Sequence, residues 1–137
     1  MSDPFVDTDV IIRLVTGDDP AKQAAARSLF ERVESGDLTL VAPDTVIADA
    51  VYVLSSKRLY NLPRAEIQEL LTTLLRLPLF KVRNRRALMR ALEIYATTNV
   101  DFGDAIIAAS MGQAASETIY SFDQDFDKRL GITRIQP

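Results

Sequence analysis

The chain has 137 residues, of which 47% are hydrophobic and 26% are charged, and its formal net charge is −3. This size fits one domain, residues 1–137, with its own hydrophobic core, and is too small for two ordinary domains. No run of about 18 apolar residues is free of charge, and the acidic N-terminus lacks the basic and apolar regions of a secretion signal, so we expect a cytoplasmic protein without a membrane span.

The chain contains neither cysteine nor histidine, and this restricts its chemistry. Catalysis by serine–histidine or cysteine–histidine pairs is excluded, and so is a zinc site with nitrogen or sulfur ligands. Any enzymatic work falls to carboxylates, hydroxyls, lysine and arginine. Oxygen ligands favour hard cations such as Mg²⁺, Mn²⁺ or Ca²⁺.

Hydrophobic periodicity and the positions of glycine and proline predict short strands that alternate with helices. In chain order the predicted elements are a strand at 4–7, helices at 8–16 and 20–35, a strand at 38–41, helices at 43–57 and 63–76, a strand at 79–82, a helix from 84 to about 95, a helix within 99–115, a strand at 118–122, a short helix at 123–130 and a strand at 132–135. This order predicts an α/β fold, a three-layer α/β/α sandwich with a central, mainly parallel five-stranded sheet.

Three local signals support the helix boundaries. Asp19 and Pro20 suit the N-cap and the first position of the second helix, and Gly36 suits its end. Asn84 can cap the helix that follows the third strand. The segment 99–115 has small apolar residues on every side from 105 to 109, so we expect this helix to be deeply buried, although it begins with Asp101 and Asp104.

Four aspartates are expected at one edge of the sheet. Asp7 and Asp123 stand where strands end and helices begin, and the carboxyl ends of parallel strands lie at the edge where ligands bind. Asp104 lies in the first turn of the helix that leads to the later strand. Asp49 is the only acid beyond the first turn of the helix at 43–57. Acids that converge in this way repel one another unless cations lie between them.

Each of these acids also has a simpler structural explanation. Asp7 and Asp123 can be helix N-caps, Asp101 and Asp104 have the spacing of a capping pair, and Asp49 can face solvent. Helix capping alone would not gather them at one edge. A cluster of aspartates without histidine suits phosphodiester hydrolysis assisted by two divalent ions.

Four segments, in order and spacing, resemble the PIN-domain ribonucleases and above all the VapC-type toxins of toxin–antitoxin pairs. They are VDTDVIIRL (6–14), VIADAVYVL (46–54), VDFGDAIIAAS (100–110) and IYSFDQDF (119–126). The resemblance implies the α/β/α sandwich, RNA cleavage dependent on Mg²⁺ or Mn²⁺, restraint by a cognate antitoxin, and a homodimer. It also implies that the catalytic and metal-binding residues are Asp7, Asp49, Asp104 and Asp123, with Asp9, Asp101 and Asp125 in support.

The chain departs from the family pattern at two of these positions. The family usually has glutamate where Asp49 stands, and the aspartate carboxylate is withdrawn by about 1.5 Å, the length of one carbon–carbon bond. Asp9 adds a charge where asparagine or serine is common, and we expect it to hydrogen-bond beside the metal ligands.

Basic residues could contact the RNA phosphates. Arg83, Arg85 and Arg86 form a cluster after the third strand. The alternative is that these arginines simply form a solvated surface. Arg13 is expected to pair with the clustered acids rather than with RNA. The leucine-rich region 43–76 is a candidate partner surface, although core packing accounts for most of its leucines.

Two other functions are considered. The segment DTDV partly fits the start of haloacid-dehalogenase-like phosphatases, with Asp7 as nucleophile and Asp9 as acid–base, but Ile11 and the short chain fit poorly. Alternatively, the chain is a catalytically weakened PIN-like module that binds a partner or RNA without cutting it. Titration with Mn²⁺ distinguishes these functions, because the enzyme would bind Mn²⁺ tightly and cleave RNA, whereas the binding module would not cleave it.

Overall fold

The computed structural model describes residues 2–129 and 131–137, and helices make up most of this part of the chain. Its α-helices are α1 (Thr8–Val15), α2 (Pro20–Glu34), α3 (Asp44–Ser55), α4 (Arg64–Leu75), α5 (Arg85–Thr97) and α6 (Phe102–Gln113). Its strands are β1 (Leu40–Ala42), β2 (Phe80–Val82), β3 (Thr118–Tyr120) and β4 (Thr133–Ile135), and a 3-10 helix spans Gln124–Lys128. The predicted alternation of helices and short strands is confirmed.

The strands pair in parallel, as expected, but in two separate sheets. β1 pairs with β2, with Leu40 opposite Phe80, and β3 pairs with β4. Ahead of α1, Phe5 forms an isolated parallel bridge to Val41. The segment around Phe5 therefore extends the first sheet by one short contact.

The single five-stranded sheet is not confirmed in the described residues. The predicted strand at 4–7 is reduced to the bridge at Phe5, partly because Pro4 has no N–H group to donate to a neighbour. Each of the other strands is three residues long and offers few ladder hydrogen bonds. The short helix predicted at 123–130 is a 3-10 helix that ends at Lys128, and residue 130 lies outside the described residues.

The local signals placed the helix starts well. The side chain of Asp19 accepts a hydrogen bond of 3.1 Å from the amide of Lys22, and Pro20 opens α2. Asn84 does precede α5, but the prediction that its side chain caps the helix was wrong. Its backbone is left-handed, with φ of 61°, and its side-chain amide donates to Asp44 at 3.0 Å.

The core lies between the helices and the first sheet. Its largest fully buried side chains are Ile11, Ile47, Leu54, Ile67, Leu71, Leu75, Phe80, Leu88 and Leu92. The rings of Phe30 and Phe80 pack edge to face with their centroids 5.3 Å apart. Most apolar residues of α4 thus belong to the core.

α6 is buried on one side only. Ala105, Ala108 and Ala109 are buried against the core, whereas Ile107 is 43% exposed. The expected deep burial therefore holds for one face of α6 only, because α6 packs mainly on α5 and leaves the other face open. No helix in the described part of the chain combines the length and hydrophobicity needed to cross a bilayer.

Candidate active site

The start of α6 brings two carboxylates together. Asp101 is the N-cap of α6, and its Oδ1 atom accepts a hydrogen bond of 2.8 Å from the amide of Asp104. Asp104 is partly buried in the first turn. The capping pair expected from the sequence is present, and it holds the two acids side by side.

Asp104 is the most perturbed acid of the site. Its pKa is raised from 3.8 to about 6, mainly by burial and also by the negative charges of Asp101, Asp123 and Asp125. The closeness of the Asp123 carboxyl group also favours the protonated form of Asp104, which can donate a hydrogen bond to it. The structure therefore places four of the predicted site residues within electrostatic reach of one another.

The loop after β3 presents Asp123. Its side chain accepts a hydrogen bond of 2.9 Å from the amide of Asp125, and its own amide donates to Oγ of Ser121 at 2.9 Å. Arg134 of β4 stabilises this loop. Its guanidinium donates one hydrogen bond to the Ser121 carbonyl and two to the carboxylate of Asp127. Asp123 is thus an N-cap whose position is fixed by main-chain contacts.

Asp7, Asp9 and Asp49 line a different cavity of about 560 Å³ between α1 and α3. Asp7 is the N-cap of α1 and accepts a hydrogen bond of 2.7 Å from the amide of Thr8. All three acids are exposed. Asp49 therefore lines the same cavity as the start of α1.

Tyr52 lies between the two groups of acids, a position that sequence analysis did not identify. Its side chain is 76% exposed and lines the cavity of Asp7 and Asp49. It also lines a second cavity of about 400 Å³ that contains Asp101 and Arg64. One aromatic ring therefore borders both halves of the candidate site.

The two halves are not joined into a ready-made ion site. Asp7 and Asp49 are absent from the groups that raise the pKa of Asp104. Within residues 2–129 and 131–137, no group of three or more acidic side chains has an arrangement that could hold a metal ion. The assignment of Asp7, Asp49, Asp104 and Asp123 as metal ligands stays a prediction.

The donor chemistry nevertheless fits a hard divalent cation. The side chains are carboxylates, the oxygen ligands preferred by Mg²⁺ and Mn²⁺. Asp104 tolerates its acidic neighbours by binding a proton more tightly, and a divalent cation would relieve the same repulsion. Asp104, Asp101 and Asp123 are the residues best placed to respond to such an ion.

Arg13 does not pair with the clustered acids. Its Nη1 atom contacts Asp18 at 3.1 Å, and Asp18 also accepts hydrogen bonds from Thr16 and from the Tyr60 hydroxyl. The hydrogen bond from Tyr60 is the main cause of the lowered pKa of Asp18, and the charge of Arg13 adds to it. The expected partner of Arg13 was wrong, because the guanidinium instead reaches Asp18, which the hydroxyl groups of Thr16 and Tyr60 hold in place.

The predicted RNA-binding arginines differ in availability. Arg83 and Arg86 are exposed. The guanidinium of Arg85 instead donates to the main-chain carbonyls of Leu77, Pro78 and Phe80, where it holds the entry to β2. An RNA-binding role for the three stays a prediction, and Arg85 has the least free donor capacity.

Comparison with known proteins agrees with this geometry. The family model described as "PIN domain" matches residues 5–130. The chain is also similar to a VapC ribonuclease of Aquifex aeolicus (strain VF5), with 26% identity over 133 residues that cover 97% of this chain and 96% of that protein. Because the family model covers nearly the whole chain, the protein belongs to the PIN-domain family.

Proposed function

We propose that the protein is an endoribonuclease that hydrolyses RNA phosphodiester bonds with Mg²⁺ or Mn²⁺, and that it acts as the toxin of a toxin–antitoxin pair. The observation that carries this proposal is the group of acids around Asp104 in a chain that belongs to the PIN-domain family. The similarity to a VapC ribonuclease supports RNA as the substrate.

In this proposal Asp7 and Asp104 are the strongest ligands of the ion, and Asp49 and Asp123 complete a second site or position water. When bound, the ion supplies charge neutralisation at the phosphate and lowers the pKa of a water molecule. Asp101 orients Asp104 through the hydrogen bond at the N-cap. Asp104 must lose its proton before it can serve as a ligand, so its raised pKa couples ion binding to pH.

Tyr52 is the side chain best suited to contact a nucleobase. Single-stranded RNA is commonly held by stacking of its bases on exposed aromatic rings. The ring of Tyr52 is exposed between the two acid-lined cavities, where a strand that passes the ion would lie. Arg83 and Arg86 are proposed to contact phosphates further along the strand.

The proposed protein partners are a cognate antitoxin and a second copy of the chain. A groove between α1, α2 and α4 is lined by apolar residues that include Leu14, Phe30, Leu70 and Leu74, by the acids Glu31, Glu34 and Glu69, and by one cation, Arg27. This surface suits a basic amphipathic segment of an antitoxin. The homodimer is proposed from the family resemblance, and light scattering of the purified protein tests it.

The decisive experiment is cleavage of total RNA by the wild type and by Asp7→Asn, each with and without Mg²⁺, followed by mapping of the new RNA ends. We expect discrete ends only for the wild type with Mg²⁺. Asp37→Asn, which removes an exposed acid in the loop after α2, is the matched control and should cut like the wild type. Equal cleavage by Asp7→Asn would overturn the proposal.

The two other functions give different outcomes. A binding module would bind RNA or a partner but produce no new ends at any Mn²⁺ concentration. A haloacid-dehalogenase-like phosphatase would form a trappable phosphoaspartate at Asp7.

A further inference from the structure

Arg64 makes an unusual set of contacts at the end of a neighbouring helix. It is the first residue of α4 and is partly buried. Its Nη1 atom donates to the main-chain carbonyls of Tyr95 at 3.0 Å and Val100 at 2.6 Å. Longer contacts of 3.4 Å reach the carbonyls of Thr98 and Asn99.

These contacts give the carbonyl groups at the end of α5 hydrogen-bond donors from a different helix. The last carbonyls of a helix have no partners within it and are often satisfied by cationic side chains of its final turn. The last turn of α5 contains no basic residue, so Arg64 of α4 supplies the charge. Its guanidinium also lies over the ring of Tyr95, 4.1 Å from the centroid, which fixes its plane.

The carbonyls held by Arg64 belong to the loop that leads into the candidate site. Val100 is followed directly by Asp101, whose carboxylate caps the amide of Asp104. Residues 97–99 are exposed, and besides Arg64 the Thr98 hydroxyl holds this loop, donating to the Ile94 carbonyl at 2.7 Å and accepting from the amide of Val100 at 3.4 Å. Two hydrogen bonds thus connect Arg64 to Asp104, one at the Val100 carbonyl and one at the Asp101 carboxylate, and the peptide bond between Val100 and Asp101 joins them.

We propose that Arg64 is a positioning residue for the carboxylates of Asp101 and Asp104, and that it sets the affinity of the site for a divalent cation. It acts by fixing the loop between α5 and α6, so that α6 begins where these acids face Asp123. The inference rests on the proposed function, because it assumes that Asp104, oriented by Asp101, holds the ion. The planar fork of arginine reaches several carbonyls at once, whereas a lysine ammonium cannot match that geometry.

The test compares Mn²⁺ binding to the wild type and to Arg64→Lys by calorimetry, without RNA. Loss of a residue that orients metal ligands typically weakens metal binding about 10- to 100-fold, and we expect a loss of that size. The amide of Asp104 should also exchange its hydrogen faster in the ion-free variant. In cleavage assays the Mg²⁺ concentration for half-maximal rate should rise, while the rate at saturating Mg²⁺ changes less.

Arg85→Lys is the matched control, because Arg85 also donates to several main-chain carbonyls, but at the entry to β2. It should lower the melting temperature and leave the affinity for Mn²⁺ unchanged. If both variants lose the same affinity, or if folded Arg64→Lys binds Mn²⁺ within about twofold of the wild type, the inference is wrong. If Arg64→Lys does not fold, Arg64→Gln, which keeps a shorter donor, replaces it under the same criteria.

The outcomes also separate this inference from the proposed function. A wild type that binds Mn²⁺ and cuts RNA, with an unaffected Arg64→Lys, overturns the positioning role alone. A wild type that binds Mn²⁺ without cutting RNA overturns the proposed function, and the affinity comparison still decides the role of Arg64. A wild type that binds no Mn²⁺ overturns both.

Discussion

The amide of Asp104 donates a hydrogen bond of 2.8 Å to the Oδ1 atom of Asp101. This contact stabilises the start of α6, yet it also holds two carboxylates close together. The carboxyl group of Asp123 approaches from the loop after β3 and adds to the repulsion. Ionisation of Asp104 therefore destabilises the folded protein, because the charge lies close to other carboxylates.

Asp104→Asn should stabilise the ion-free protein at neutral pH. The pKa of Asp104 is about 6 in the folded protein and 3.8 ordinarily, so the folded state binds this proton more tightly than the unfolded chain does. The free energy of unfolding contributed by Asp104 is therefore fully present below about pH 4 and is lost as the pH rises through about 6. The variant should melt at a higher temperature than the wild type at about pH 7.5, and the two should agree near pH 4.

Thermal melts at both pH values, with and without Mg²⁺, measure this effect. Mg²⁺ should raise the melting temperature of the wild type at neutral pH and leave Asp104→Asn nearly unchanged, because a bound ligand stabilises only the state that binds it. A variant less stable than the wild type at neutral pH without Mg²⁺ would contradict the prediction.

Asp49→Glu should keep or increase the Mg²⁺-dependent cleavage rate. The longer side chain advances the carboxylate by about 1.5 Å from α3 and restores the residue usual in the family. Asp49→Asn removes the charge and should lower kcat/KM by about 10- to 100-fold. Steady-state cleavage of a defined RNA measures both variants, and equal losses in the two would show that position 49 does not act through its carboxylate.

Tyr52→Ala should raise KM for single-stranded RNA. Stacking contributes about 1–3 kcal/mol per base, which corresponds to a change of about 5- to 150-fold in KM, and kcat should stay within about twofold. Tyr52→Phe keeps the ring and should behave like the wild type. Leu59→Ala removes another exposed apolar side chain of the same cavity and is the control. A similar rise of KM in Leu59→Ala would point to a general loss of apolar surface.

Arg83→Gln with Arg86→Gln should reduce the salt dependence of RNA binding. Each phosphate contact to a single strand contributes about 0.7 to the slope of log K against log salt, so the double variant should lose up to about 1.4. Filter binding over a range of KCl concentrations measures the slope. Arg32→Gln, at an exposed position near the end of α2, should leave it unchanged. If the double variant leaves the slope unchanged, these arginines do not contact RNA phosphates and are simply solvated surface residues.

Phe80→Ala should lower the free energy of unfolding by about 3–5 kcal/mol. Phe80 is fully buried in β2 and packs edge to face on Phe30, so its removal leaves a cavity at the first sheet. Urea unfolding measures the change. Lys81→Ala alters the exposed neighbour in the same strand and should stay within about 0.5 kcal/mol of the wild type.

Local signals explain what could be predicted from the sequence. Asp19, Pro20 and Gly36 act on the residues next to them, and the boundaries of α2 followed from those residues alone. The same holds for Asp7, Asp101 and Asp123, which were recognised as possible caps and are caps in the structure. The family resemblance then drew attention to them as possible metal ligands.

Contacts between distant residues explain what could not be predicted. Arg64 is separated by more than 30 residues from the carbonyls to which it donates, and hydrophobic periodicity does not predict contacts between residues so far apart. Tyr52 lies one turn after Asp49 in the sequence, but only the packing of α3 beside α1 and α6 places its ring between two cavities. Strand pairing is equally non-local, so five candidate strands did not determine how many join one sheet.

The pairing of Arg13 with Asp18 also bears on the order of events during a reaction cycle. Asp18 forms an ion pair with Arg13. Among the described residues that line the cavity of Asp7, Asp9 and Asp49, Arg13 is the one cation. The uncompensated negative potential there repels a polynucleotide and attracts small cations. Under the proposed function, the ion should therefore bind before the nucleic acid approaches, so that the concentration of free Mg²⁺ would govern how readily RNA is engaged.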